Sequence, residues 1–175
     1  MVYLLRDEDY FAVEDDEIGR TSSNILFWAY GIAIIYSAIG GWVYDRFLRK
    51  WPITVATVLG ALLLAVIPLT CPSLALLTVV RVLIMIAGTQ VNLSPLVADY
   101  IEEDSVGKAI SVQTLGIVLG GLFYTLVLLQ VGKQETLTQT EIYAIDSAIM
   151  LVLAIPFYFI VRDVKISSDP SSSQD

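Results

Sequence analysis

Long runs without a single charged residue constrain this chain more than any other feature. Five such runs divide the sequence: residues 21–44, 51–80, 82–98, 109–132 and 147–161. A helix needs about 20 mostly apolar residues to cross the hydrocarbon core of a membrane. Because the runs approach or exceed that length, they predict helices that cross a lipid bilayer.

Prolines divide the longest run, because Pro68 and Pro72 with their polar neighbours are typical of a turn between two helices. The third span must begin before Arg81, and the fifth must take in Asp146, to reach the required length. With ends good to about 3 residues, the predicted spans are 24–44, 52–69, 74–98, 109–131 and 142–161. We therefore expect an all-α, polytopic bundle of five transmembrane helices.

The composition excludes several other classes of protein. The mean hydropathy is +0.72, with 56% hydrophobic and 16% charged residues, whereas a soluble domain has about a quarter charged residues. A net charge of −8 gives no basic surface for nucleic acid. The chain has no histidine, and it contains no nucleotide-binding or nucleophile motif. We expect no enzyme activity, no cofactor and no metal site.

The distribution of lysine and arginine predicts the orientation in the membrane. One side of the predicted topology carries six basic residues: Arg46, Arg49, Lys50, Lys108, Arg162 and Lys165. The other side carries three: Arg6, Arg20 and Lys133. Cytoplasmic loops are enriched in basic residues, so the first side, with the C-terminus, is predicted to be cytoplasmic.

The two ends of the chain are predicted to lie outside the transmembrane domain of residues 24–163. Residues 1–23 carry seven carboxylates and lack the glycine of a calcium-binding loop, so we expect an acidic, solvated extracytoplasmic segment. Residues 164–175 are rich in serine and poor in apolar residues, which predicts a disordered cytoplasmic tail.

The loop between the first two spans combines a glycine, an acid and several basic residues. The pattern consists of Gly41, Asp45, Arg46, Arg49, Lys50 and Ile53. It resembles the signature between the second and third helices of the major facilitator superfamily, although Leu48 stands where that family has a second glycine. The alternative is a basic loop that only anchors the topology.

Arg81 is the one basic residue inside a predicted span, about 12 Å from its start. A central arginine costs about 2.5–3.5 kcal/mol to insert and therefore usually faces protein or water. At 100° per residue, Asn92 shares the face of Arg81, whereas Gln90 lies on the opposite face.

The surroundings of this arginine resemble the fourth-helix motif of the same family through Leu77, Arg81, Ala87 and Gly88. The resemblance implies a role for Arg81 in substrate binding or proton coupling. Asn92, on the same helical face, and Asp146, at similar depth, are further candidates. The alternative is a structural arginine that snorkels outward or pairs with Asp146 at similar depth.

The resemblance also implies a charge network on the cytoplasmic face, formed by Asp45, Arg49 and Asp99. The family fold has twelve helices in two halves with the substrate site between them, and this chain matches the second to the sixth helix, with the first missing. The expected function is therefore that of a partial chain of an alternating-access carrier for a small solute, with or without a coupling proton. Its expected partners are the lipid bilayer and either the missing helices or a second copy. The alternative is a half-size or remnant membrane protein with an assembly or regulatory role and no transport of its own.

Overall fold

The computed structural model describes residues 2–46, 50–92, 101–133 and 137–160, and every regular element in these ranges is helical. The α-helices are α1 (Val2–Arg6), α2 (Ile18–Arg46), α3 (Lys50–Val66), α4 (Leu74–Asn92), α5 (Val106–Lys133) and α6 (Gln139–Ile160). Two short 3₁₀ helices cover Ile67–Thr70 and Glu103–Ser105. The predicted all-α fold is confirmed.

Four stretches of the described residues are long and apolar enough to cross a membrane. They are Ile18–Tyr44, Lys50–Thr70, Leu74–Asn92 and Val106–Phe123. Helix α6, with 22 residues, lies where the fifth span was expected, and its crossing of the membrane stays a prediction. Residues 93–98 of the third predicted span and the tail of residues 164–175 lie outside the described residues.

The turn predicted in the longest apolar run separates α3 from α4. Pro68 lies at the start of the 3₁₀ helix that follows α3, where its missing N–H leaves no bond unmade. The Ser73 hydroxyl then accepts the backbone N–H of Leu76 at 3.3 Å and caps the start of α4. The chain therefore reverses direction between two antiparallel helices, as the prolines indicated.

Helix α4 packs between α2 and α3, and α3 also packs against α6. The approach of α3 to α4 is close at Gly60, where an added Cβ would lie 3.6 Å from the Cβ of Ala87. Small residues at such crossings let two membrane helices gain van der Waals contact along their backbones. These contacts order the four helices as α2, α4, α3 and α6.

Helix α5 differs from the others because its side chains are exposed throughout residues 111–123. A Cβ added at Gly116, Gly120 or Gly121 would meet nothing within 4 Å. Since none of its apolar span is buried, α5 adds nothing to the packed core of the described bundle.

Hydroxyl side chains along the helices donate hydrogen bonds to the carbonyl four residues earlier, at 2.7–2.9 Å. The pattern recurs at Thr54, Thr57, Thr78, Thr89, Ser111 and Thr114. This back-bonding satisfies a hydroxyl within its own helix.

The N-terminal segment corrects the expectation of a solvated loop. Leu4 and Leu5 are fully buried, in one cluster with Ile25, Ile67 and Leu77. The seven carboxylates stay at or near the surface, so the charges that suggested solvation occupy only the outer side of the segment. Helix α2 also begins earlier than expected, at Ile18 rather than near residue 24.

Hydrogen bonds fix this segment over one end of the bundle. The backbone N–H of Val13 donates to the carbonyl of Leu5 at 2.9 Å. The hydroxyl groups of Tyr10 and Thr140 lie 2.8 Å apart, and the Cys71 thiol donates to the Tyr10 carbonyl at 2.6 Å. The segment thus contacts the α3–α4 turn and the start of α6 and covers that end of the bundle. We call it the N-terminal cap.

Candidate functional site: a polar cluster between two helices

Arg81 of α4 and Asp146 of α6 lie at the same depth below the capped end. Each follows the first residue of its helix, Leu74 or Gln139, by seven positions, which corresponds to about 10 Å along the axis. Tyr143, one turn before Asp146, interacts electrostatically with both of them. We refer to Arg81, Tyr143 and Asp146 as the polar cluster, because the charges of the first and the last both act on Tyr143.

Burial distinguishes this cluster from a surface ion pair. The side chain of Asp146 is only 5% exposed, as is its neighbour Ser147. The Nε atom of Arg81 is buried and has no hydrogen-bond partner among the described residues. Buried polar atoms in native proteins are almost always hydrogen-bonded, so this N–H group is a candidate hydrogen-bond donor.

The start of α6 is fixed by a capping box, which positions Tyr143 and Asp146. The Thr138 N–H donates to the Glu141 carboxylate at 2.8 Å, and the Thr138 hydroxyl accepts the Glu141 N–H at 3.3 Å. The backbone and hydroxyl hydrogen bonds from Thr138 hold the pKa of Glu141 below its ordinary value of 4.5. Glu141 precedes the predicted span and is exposed, so these bonds act at the aqueous edge of the helix.

Asn92 is not part of the cluster. It ends α4 and is exposed, about 16 Å along the axis from Arg81. Asn92 and Arg81 share one face of α4, but they lie at different depths along its axis. Tyr143 was missed by the sequence analysis, although its spacing of three residues from Asp146 on one helix is a signal that could have identified it.

Gln90 belongs to a second polar group, on the opposite side of α4. Tyr36 donates from its hydroxyl to Gln90 Oε1 at 2.6 Å, and the Tyr44 hydroxyl donates to the Gln90 carbonyl. Gln90 is 4% exposed, and its Nε2 has no partner among the described residues. The sequence alone indicates no role for this glutamine, whereas in the structure it links α4 to α2.

The signature loop is only partly within the described residues. Gly41 is exposed, and an added Cβ there would meet nothing within 4 Å. Asp45 and Arg46 lie in the last turn of α2, with Arg46 exposed. Lys50 begins α3 and lies over the ring of Tyr158, with its Nζ 3.9 Å from the ring centroid. This contact joins the start of α3 to the end of α6.

Two members of the predicted charge network, Arg49 and Asp99, lie outside the described residues. The network that they would form with Asp45 therefore stays a prediction.

Comparison with known proteins identifies the family. The family model of the Major Facilitator Superfamily matches residues 11–175. Comparisons with curated proteins and with solved structures find no match. The family match covers nearly the whole chain and agrees with the helical bundle and its membrane-spanning helices. The chain therefore belongs to the major facilitator superfamily, whose members are membrane transporters and not enzymes.

Proposed function

We propose that this chain is part of a secondary carrier for a small solute and that Arg81, Tyr143 and Asp146 form its binding or coupling site. The carrier would work by alternating access, with the C-terminus in the cytoplasm. The observation that carries the proposal is the buried Nε of Arg81, which lacks a hydrogen-bond partner in the described bundle. An arginine N–H that is buried inside a membrane helix without such a partner is costly, unless a ligand accepts its hydrogen bond.

The chemistry of the cluster favours a solute with an anionic or strongly hydrogen-bonding group. A guanidinium binds carboxylate and phosphate groups through parallel N–H···O bonds. A phenol hydroxyl such as that of Tyr143 donates one further hydrogen bond. Asp146, buried at the same depth, is the proposed carrier of the coupling proton, because a carboxylate that gains a proton no longer competes with the solute for Arg81.

Binding tests this proposal directly. The purified chain would be screened in detergent by thermal shift against monosaccharides, amino acids, dipeptides, monocarboxylates and inorganic anions. We expect the anionic classes to raise the melting temperature. Losing a hydrogen bond to a charged group costs about 1.5–3 kcal/mol, so Arg81→Ala should weaken binding roughly 10- to 150-fold.

Lys108→Ala is the matched control, because Lys108 is an exposed basic residue at the start of α5. It should leave binding unchanged. Equal affinity of Arg81→Ala and the parent chain would refute the role of the arginine. For the coupling role of Asp146, Asp146→Asn should remove the pH dependence of binding; an unaltered pH profile would contradict it.

A second candidate function is a half-size membrane protein that assembles without transporting. Helix α5 favours it, because its exposed side chains surround a Gly116–Gly120 spacing that suits close helix packing. Crosslinking of the chain in membranes separates the two candidates. A stable oligomer that binds no solute of the panel would support assembly over transport.

A further inference from the structure

Two adjoining cavities lie along α2 and α4, and their walls do not include Arg81, Tyr143 or Asp146. The first has a volume of about 350 Å³ and is lined by polar side chains that include Glu17, Arg20 and Thr21. The second has a volume of about 420 Å³. The two share Asn24, Ala75 and Thr78 in their walls, so they form one continuous groove.

The second cavity is apolar below the shared residues. Trp28 and Ile32 of α2 face Val79, Val82 and Leu83 of α4 across it. From Asn24 to Ile32 the groove runs about 12 Å along the axis of α2. Half of the hydrocarbon core of a bilayer measures about 15 Å, so the apolar part has the length of an acyl chain within one leaflet.

The first cavity lies where a lipid head group would be. Glu17 directly precedes α2, and Arg20 is in its first turn, at the capped end where the helix leaves the apolar region. Both side chains are exposed, and among the described residues neither forms an ion pair. The nearby Arg6 is instead paired with Asp15 at 3.0 Å. An unpaired cation and an unpaired anion therefore line the same cavity.

This charge pattern is complementary to a zwitterion. A guanidinium binds a phosphate diester through charge-assisted hydrogen bonds, and a carboxylate accepts hydrogen bonds from a primary ammonium group. Thr21 and Asn24 add hydroxyl and amide groups at the level of the glycerol esters. A quaternary ammonium has no N–H to donate to Glu17, so the site favours a primary amine.

We propose that the groove between α2 and α4 binds a phosphatidylethanolamine molecule from the leaflet at the capped end of the bundle. Its phosphate lies on Arg20, its ammonium on Glu17, and one acyl chain occupies the apolar part beside Trp28 and Leu83. The site is separate from the solute site proposed above, because none of the residues that line the groove is Arg81, Tyr143 or Asp146.

Native mass spectrometry of the full purified chain tests the proposal. Palmitoyl-oleoyl phosphatidylethanolamine and the matching phosphatidylcholine would be titrated separately. We expect retention of one ethanolamine lipid and weaker retention of the choline lipid. Arg20→Gln and Glu17→Gln should each weaken ethanolamine-lipid binding about tenfold or more. Arg46→Gln, at the other end of α2, is the matched control and should leave binding unchanged.

Two further arms distinguish a lipid from a soluble ligand. Leu83→Trp fills the apolar groove and should reduce lipid binding while leaving the head-group cavity intact. Glycerophosphoethanolamine, which lacks acyl chains, should bind far more weakly than the lipid. Equal retention of the two lipids, unchanged binding in both charge variants, or tight binding of the soluble head group would each overturn the proposal.

Discussion

Replacing Leu5 by alanine should release the N-terminal cap from the bundle. Leu5 is fully buried in the cluster that also holds Leu4. Leucine-to-alanine changes in a packed core cost about 2–5 kcal/mol. The substitution should reduce the stability of the docked state relative to the undocked state by that amount, because only the docked state buries Leu5.

Cys71 provides the readout, since it is the sole cysteine of the chain and its thiol donates to the Tyr10 carbonyl of the cap. A loss of about 2 kcal/mol corresponds to a roughly 30-fold larger undocked fraction. The thiol is already partly exposed in the docked state, which limits the increase in its labelling rate. We therefore expect maleimide labelling of Cys71 to accelerate about tenfold or more.

The matched control is Val2→Ala, on the same short helix, because the Val2 side chain is 51% exposed. Its labelling rate should equal that of the parent chain. An unchanged rate in Leu5→Ala, or an equal acceleration in Val2→Ala, would refute the idea that burial of Leu5 holds the cap in place.

Three other substitutions test the packing and capping of the helices. A Cβ at position 60 would already lie 3.6 Å from the Cβ of Ala87, so Gly60→Leu should overpack this contact and destabilise the bundle by about 1–3 kcal/mol. Gly60→Ala is the control that should be tolerated, and thermal melting compares the two variants. Tyr44→Phe should cost about 0.5–1.5 kcal/mol, because the carbonyl of Gln90 loses its donor; an unchanged melting temperature would contradict this. Because the pKa of Glu141 is lowered, its stabilisation is present above the ordinary value of 4.5 and is lost as the pH falls through the lowered pKa. Glu141→Gln should flatten that part of the stability–pH curve, and an identical curve would exclude the capping effect.

The architecture of the bundle could be predicted from the sequence because its signal is local. A run without charges can be identified as a membrane helix without knowing its tertiary contacts. The prolines near residue 70 likewise interrupt the helix through their own backbone geometry. The depth of Arg81 and Asp146 was equally accessible, since it follows from counting residues along two helices.

Packing between distant segments could not be predicted in the same way. Leu4 and Leu5 lie among carboxylates in the sequence, and only the tertiary contact with the helices shows that their side chains are buried. The role of Gln90 depends on two tyrosines of another helix. Helix α5 has the same glycine spacing as a packed helix, yet it meets no neighbour there among the described residues.

The back-bonded hydroxyl groups should not be counted among the hydrogen bonds that hold these helices together. A threonine such as Thr57, whose proton already lies on the Ile53 carbonyl, presents mainly its methyl group to whatever surrounds the helix. Its transfer into hydrocarbon avoids the cost of an unsatisfied hydroxyl. Threonine-to-valine exchange at such positions would keep the shape and break no bond between helices. Recognition of one helix by another then depends on the few side chains that bond across helices, such as the hydroxyl groups of Tyr36 and Tyr44 and the side chain of Gln90.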